Sequence, residues 1–188
     1  MRLFLAINVP DDVRRAVVDA TAPLRAIAPA LSWVREPQLH LTLKFLGEQP
    51  EDVADAVANA MTAVGAKHRP VPAELGGVGA FPNFRRPNVV WMGVSPEPKL
   101  ELLHHDVECA AATLGFALDG RPFRPHLTLA RVKPRRADAD ALRALARAVK
   151  QIDLVEEIVV DSVDLMQSEL SSSGSRYRVL ARAPLTYV

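Results

Sequence analysis

Two segments of this chain are identical over four residues, His40-Leu41-Thr42-Leu43 and His126-Leu127-Thr128-Leu129, and they lie 86 residues apart. Successive side chains of an extended strand leave opposite faces. Each segment therefore sends two leucines to one face, which requires a core, and its histidine and threonine to the other. The 86-residue offset also maps the surrounding pattern. A strand predicted over 2–8 from Leu3, Leu5 and Ile7 falls on one predicted over 88–94. A helix over 11–28, opened by Pro10-Asp11-Asp12 with Asp11 as N-cap, falls on one over 97–114. Apolar spacing predicts helices over 51–64 and 137–150, again in step, and strand 71–79 falls on 157–165. Shared element order is the signature of an internal duplication. Two similar halves packed about a pseudo-two-fold axis would bring the two His/Thr faces opposite each other.

The remaining elements are strands near 31–35, 155–168 and 176–187, the last two joined by a turn at Ser171-Ser172-Ser173-Gly174-Ser175. We expect one domain over 1–188, with repeat halves of about 2–80 and 88–168 and a C-terminal strand over 176–187. No apolar run approaches the ~20 residues a membrane span needs. The apolar stretch at Met1 to Ile7 is too short for a signal peptide, and Cys109 is the single cysteine, which excludes a disulfide framework or a cysteine zinc site. A cytoplasmic protein is expected. The net charge of +1 does not call for a long polyanion, so any nucleic acid should be a terminus or small fragment held locally.

Two imidazoles with ordinary pKa values near 6.5 can divide acid and base duties near neutral pH. Thr42 and Thr128 lie about 6.6 Å further along the same faces by strand rise, and their hydroxyls can donate to the oxygens of an anion between the histidines. No activated serine or cysteine accompanies them, so the set suits a phosphoryl centre better than a carbonyl. No residue is placed by motif as a third zinc ligand, and neither metal nor cofactor is expected.

The residues around the motifs carry a family resemblance. Arg2-Leu3-Phe4-Leu5-Ala6-Ile7, Leu39-His40-Leu41-Thr42-Leu43-Lys44-Phe45-Leu46-Gly47 and Phe123-Arg124-Pro125-His126-Leu127-Thr128-Leu129-Ala130-Arg131 resemble the 2H phosphoesterases. Within them the match is to the RNA 2′,3′-cyclic phosphodiesterase branch, often named 2′–5′ RNA ligase. Gly77-Val78-Gly79-Ala80-Phe81, Val90 to Val94 and Ser168-Glu169-Leu170 … Gly174 … Tyr177 also fit. The resemblance implies an α+β fold of two pseudo-symmetric lobes, with antiparallel sheets lining a central cleft and helices outside. It implies metal-independent hydrolysis of RNA 2′,3′-cyclic phosphate ends to a 2′-phosphate, with possible ligase activity. His40 and His126 would be catalytic, in either order of acid and base, and Thr42 and Thr128 would hold the phosphate. ADP-ribose cyclic phosphate, 2′–5′ oligonucleotides or a non-catalytic nucleotide-binding role are the alternatives. The partner expected is an RNA end or small nucleotide, bound by a monomer without a membrane.

Three further residues are candidate nucleotide ligands. Arg131 matches a family arginine, yet its odd offset from His126 puts it on the leucine face unless the strand ends or bulges there. Phe4 shares a face with Ala6 and Asn8, so it either stacks a base or fills core. Lys44 lies on the His40 face by parity, as a phosphate ligand or a solvated strand end. Phe84, Arg85 and Arg86 read as an RNA-contacting loop or a plain connector, and His68, His104 and His105 as surface residues.

Overall fold

The computed structural model describes residues 1–133, 138–171 and 174–187, so the start of the helix predicted from 137, and Ser172 and Ser173 of the predicted turn, lie outside the described residues. The chain runs β1 (Arg2–Asn8), α1 (Asp11–Ile27), β2 (Ser32–Trp33), β3 (His40–Glu48), α2 (Asp52–Gly65), β4 (Val71–Phe81) and β5 (Val89–Val94). It continues with α3 (Pro98–Thr113), β6 (His126–Arg131), α4 (Ala139–Ala148), β7 (Val155–Val160), β8 (Ser162–Ser171) and β9 (Gly174–Pro184). Among the described residues these strands form one sheet in the order β7-β4-β5-β6-β3-β1-β8-β9, with β2 pairing β6. All the pairings are antiparallel.

The two histidine strands are neighbours at the centre, registered with Leu41 opposite Leu127. Around them the order is palindromic under the 86-residue offset, because β1 flanks β3 as β5 flanks β6. The next strands are exchanged. β4, from the first repeat, pairs β5 of the second, and β8, from the second, pairs β1 of the first. Repeat boundaries are therefore not lobe boundaries.

The strand expected over 155–168 is two strands, broken at Asp161 and sent to opposite wings, β7 onto β4 and β8 onto β1. One connecting residue spans only about 7 Å between the flanking Cα atoms. The two wings must converge there, so the sheet curls rather than lying flat.

One apolar cluster joins a single face of this sheet to all four helices: Leu3, Leu5, Leu41, Leu127 and Leu129 from the strands meet Val17, Met61, Leu103 and Leu145 from the helices. Alternation along each strand leaves the other face for a ligand. No helix among the described residues is long and apolar enough to cross a membrane.

Candidate active site

Leu41 and Leu127 are fully buried, which fixes the face of each flanking side chain. With Leu41 opposite Leu127, His40 stands across from Thr128 and Thr42 across from His126. The histidines thus occupy one diagonal of a four-residue cluster, where residues are separated by about 7–8 Å. That gap admits one phosphoryl group.

Both rings are held the same way. His40 Nδ1 lies 2.7 Å from the carbonyl oxygen of Gln38, and His126 Nδ1 lies 2.7 Å from that of Arg124. A carbonyl only accepts, so each Nδ1 carries the hydrogen and each Nε2 is left for chemistry. Burial pushes His40 down to about 4, against the hydrogen bond to Gln38, and the charges of Arg131 and His126 push it the same way. Burial also lowers His126, again opposed by its carbonyl bond and assisted by Arg131. In a site without an anion both rings are therefore neutral at pH 7.

Aromatic rings wall both sides. The His40 ring is 5.0 Å from Phe4 and 5.2 Å, edge-on, from Tyr177. The His126 ring is 5.1 Å, edge-on, from Phe81 and 6.4 Å from Trp91. Trp91 lies over glycine backbone, and a Cβ on Gly79 would come within 2.2 Å of its ring. Phe4, expected either to stack a base or fill core, is 3% exposed and packs with Ala6, Met166 and Tyr177 in a small cluster on the histidine face. It forms the floor beneath His40.

Parity fails after each motif, and for one reason. In β3 Thr42 pairs Ala6 while Lys44 pairs Leu5, so Leu43 is an extra residue. In β6 Thr128 pairs Trp91 while Ala130 pairs Val90, so Leu129 is extra. The same bulge thus occurs at equivalent places in both repeats and reverses the facing of the residues beyond it. Arg131 consequently turns to the histidine face, where its charge reaches both rings. Lys44 turns the other way, which corrects its expected place beside the phosphate. Its Nζ is buried against Glu108, 2.9 and 2.8 Å from the two carboxylate oxygens, and 2.7 Å from the carbonyl of Ala117. Phe45, which local alternation assigns to the other side, takes the histidine face instead, 67% exposed and 6.1 Å from Phe4.

Other expectations resolve away from the site. His68 is buried rather than on the surface, with Nε2 2.8 Å from Asp106. His104 is half-buried and stacks on Phe123 at 3.8 Å, while His105 is exposed on α3. Arg85 and Arg86 are exposed at the tip of the β4–β5 hairpin. Trp91, Phe81, Tyr177 and Phe45 do not read as one site in the sequence because their proximity depends on non-local pairing. The sequence signal that marks part of it is the glycine at 79, on the face where an indole must lie flat.

Comparison with known proteins sets this geometry in context. The family described as the 2′-5′ RNA ligase superfamily matches residues 9–171. A curated protein of Thermus thermophilus, named RNA 2′,3′-cyclic phosphodiesterase, is 35% identical over 192 residues, covering 98% of this chain and 90% of its own. One of the same name from Geobacillus stearothermophilus is 34% identical over 97% of this chain, which spans 56% of that longer relative. The solved structure of E. coli LigT complexed with 3′-AMP superimposes with a TM-score of 0.71 at 26% identity, covering 98% of both chains.

Proposed function

The chain belongs to the 2′-5′ RNA ligase superfamily, and from that membership we propose that it hydrolyses RNA 2′,3′-cyclic phosphate ends to a terminal 2′-phosphate by metal-independent catalysis with two histidines. The observation that carries this reading is the diagonal histidine pair, each ring fixed through Nδ1 by a carbonyl two residues upstream. His40 is the base and His126 the acid, because burial holds the more deeply buried His40 down to about 4 and hence unprotonated. Nε2 of His40 takes a proton from water as its oxygen bonds to phosphorus. The P–O3′ bond breaks, and Nε2 of His126 gives its proton to the departing 3′ oxygen. The hydroxyls of Thr42 and Thr128, with the charge of Arg131, stabilise the non-bridging oxygens as their charge grows. Arrival of the phosphate anion favours protonation of His126, which the ligand-free site opposes. End joining is the same displacement with the 5′-hydroxyl of a second strand in place of water and keeps both roles, whereas its reversal, cleavage of a 2′–5′ linkage, would exchange them.

The protein acts on RNA ends or small nucleotides as a cytoplasmic monomer, with the whole chain as its working unit. Purified protein incubated with a cyclic-phosphate RNA in the presence of EDTA should release a 2′-phosphate end and no 3′-phosphate end. Formation of the 3′-phosphate, or loss of turnover in EDTA, would overturn the mechanism. Parallel assays on ADP-ribose cyclic phosphate and 2′–5′ oligonucleotides rank the alternative substrates. Equal binding without turnover of any of them would identify a nucleotide-binding module.

A further inference from the structure

One charged group on the histidine face is left unused by this chemistry. Arg182 of β9 pairs Asp164 of β8, Asp164 pairs Ala6 of β1, and Ala6 pairs Thr42 of β3. Directly paired residues of a sheet share a face, so the arginine stands on the same surface as the phosphate-binding threonine. Its guanidinium bonds the Asp164 carboxylate side-on, Nε at 3.1 Å and Nη2 at 3.3 Å. The carboxylate is fully buried and further fixed by Asn8 Nδ2 at 2.7 Å and Ser162 Oγ at 3.2 Å. Asp161 also adds to the negative field at the arginine. The arginine side chain is nevertheless 59% exposed, and among the described residues its hydrogen bonds go to Asp164 alone. The remaining N–H donors of its planar fork face outward, held in place by a buried anchor.

The intervening surface suits a nucleoside. Ala6 keeps the floor low beside Thr42, and Phe4, Tyr177 and the 44% exposed Val179 supply an apolar strip along its edge. Two strand spacings, about 10 Å, separate the Asp164 position from Thr42, enough for a phosphate further along the same RNA strand. Beyond the other histidine the corresponding face is hostile to phosphate. There Glu74 of β4 and Glu157 of β7 pair directly, both exposed.

We propose that Arg182, anchored on Asp164, is a second phosphate subsite that binds an internal phosphodiester of the RNA whose cyclic end lies between the histidines. The strand thus leaves the reacting centre over β1, β8 and β9. The inference rests on the proposed RNA-end activity and specifies how oligonucleotides are preferred over mononucleotides.

The test compares triuridylate ending in a 2′,3′-cyclic phosphate with uridine 2′,3′-cyclic phosphate, using wild type and Arg182→Gln, which keeps a donor for Asp164. The substitution should lower kcat/KM for the trinucleotide about tenfold and make its salt dependence shallower. Turnover of the mononucleotide, which cannot reach Arg182, should be unchanged and also reports that the variant is folded. Equal effects on both substrates, or none on either, would overturn the subsite. So would loss of the trinucleotide advantage in an Arg85→Ala/Arg86→Ala variant but not in Arg182→Gln, since the strand would then leave over the hairpin. Binding of triuridylate with a 3′-phosphate to both proteins reads the same contact without turnover. An inactive wild type whose binding still depends on Arg182 therefore refutes the activity and not the subsite.

Discussion

Replacing Lys44 with methionine distinguishes a lysine in the phosphate site from one locked into the scaffold. Lys44 and Glu108 are 7% and 6% exposed, and the ammonium makes three hydrogen bonds there, two to Glu108 and one to the Ala117 carbonyl. Lys44→Met leaves a buried carboxylate supported by the Asp119 N–H at 3.0 Å and faced by His104, whose Nε2 lies 3.9 Å from Oε1. Removing one partner of a buried pair costs about 3–5 kcal/mol. At about 2–4 °C per kcal/mol for a chain of this size, the variant should melt on the order of 10 °C lower. The double variant Lys44→Met/Glu108→Leu removes both charges and should recover most of that loss. Thermal unfolding followed by circular dichroism, with kcat/KM on a cyclic phosphate below the transition, measures both quantities. Turnover should stay within a few-fold of wild type. A Lys44→Met protein that melts with wild type but loses a hundredfold in kcat/KM would refute the bulge argument.

The same geometry supports further expectations. His40→Ala and His126→Ala should each lower kcat by about 10²–10⁴, and a fall below tenfold in either would remove that residue from the chemistry. The profile of kcat/KM against pH should rise through about 4 as His40 loses its proton and fall on the alkaline side as His126 does; a flat profile would exclude the pair. Stability should follow His40 as well. With a folded value near 4 against 6.5 unfolded, the unfolded chain takes up a proton first, so stability present above pH 6.5 is lost towards pH 4, by about 3 kcal/mol. Denaturant titrations across that window should show wild type losing about 3 kcal/mol relative to His40→Ala. Gly79→Ala drives a methyl into the Trp91 ring, and should cost about 1–3 kcal/mol while disturbing the wall beside His126. An unchanged melting temperature would show that the indole moves freely.

The motif faces are legible in the sequence because they depend only on local alternation: four residues, two buried leucines, two ligands forward. The duplication is legible too, since helices and strands recur at a constant offset. Alternation misplaces Lys44 and leaves Arg131 open for a single reason. A bulge at Leu43 and Leu129 inserts one residue, and nothing in Leu43 or Leu129 distinguishes a bulged leucine from a regular one. The split at Asp161 is hidden in the same way, because Val155 to Ser168 alternates acceptably as one long strand. Only the pairing of its halves with β4 and β1 separates them. The ring of Phe4, Phe45, Tyr177, Phe81 and Trp91 likewise draws on five strands, and local patterns carry no information about which strands meet.

The exchanged strands have a consequence for how the chain can be divided. A break in the 82–88 loop yields two pieces of nearly equal architecture, but neither is a lobe: the first holds β1 and β3 without β8, and the second holds β5 and β6 without β4. Each piece carries the strand the other lacks. The pieces should remain separately unfolded or aggregated and regain structure only when mixed, as interlocking halves. A single-repeat ancestor would have faced the same geometry, folding only as a mutually swapped pair with one histidine from each copy. Fusion into one chain would have freed the two halves to differ, so that equivalent bulges turn Phe45 in one half and its counterpart Arg131 in the other to the histidine face.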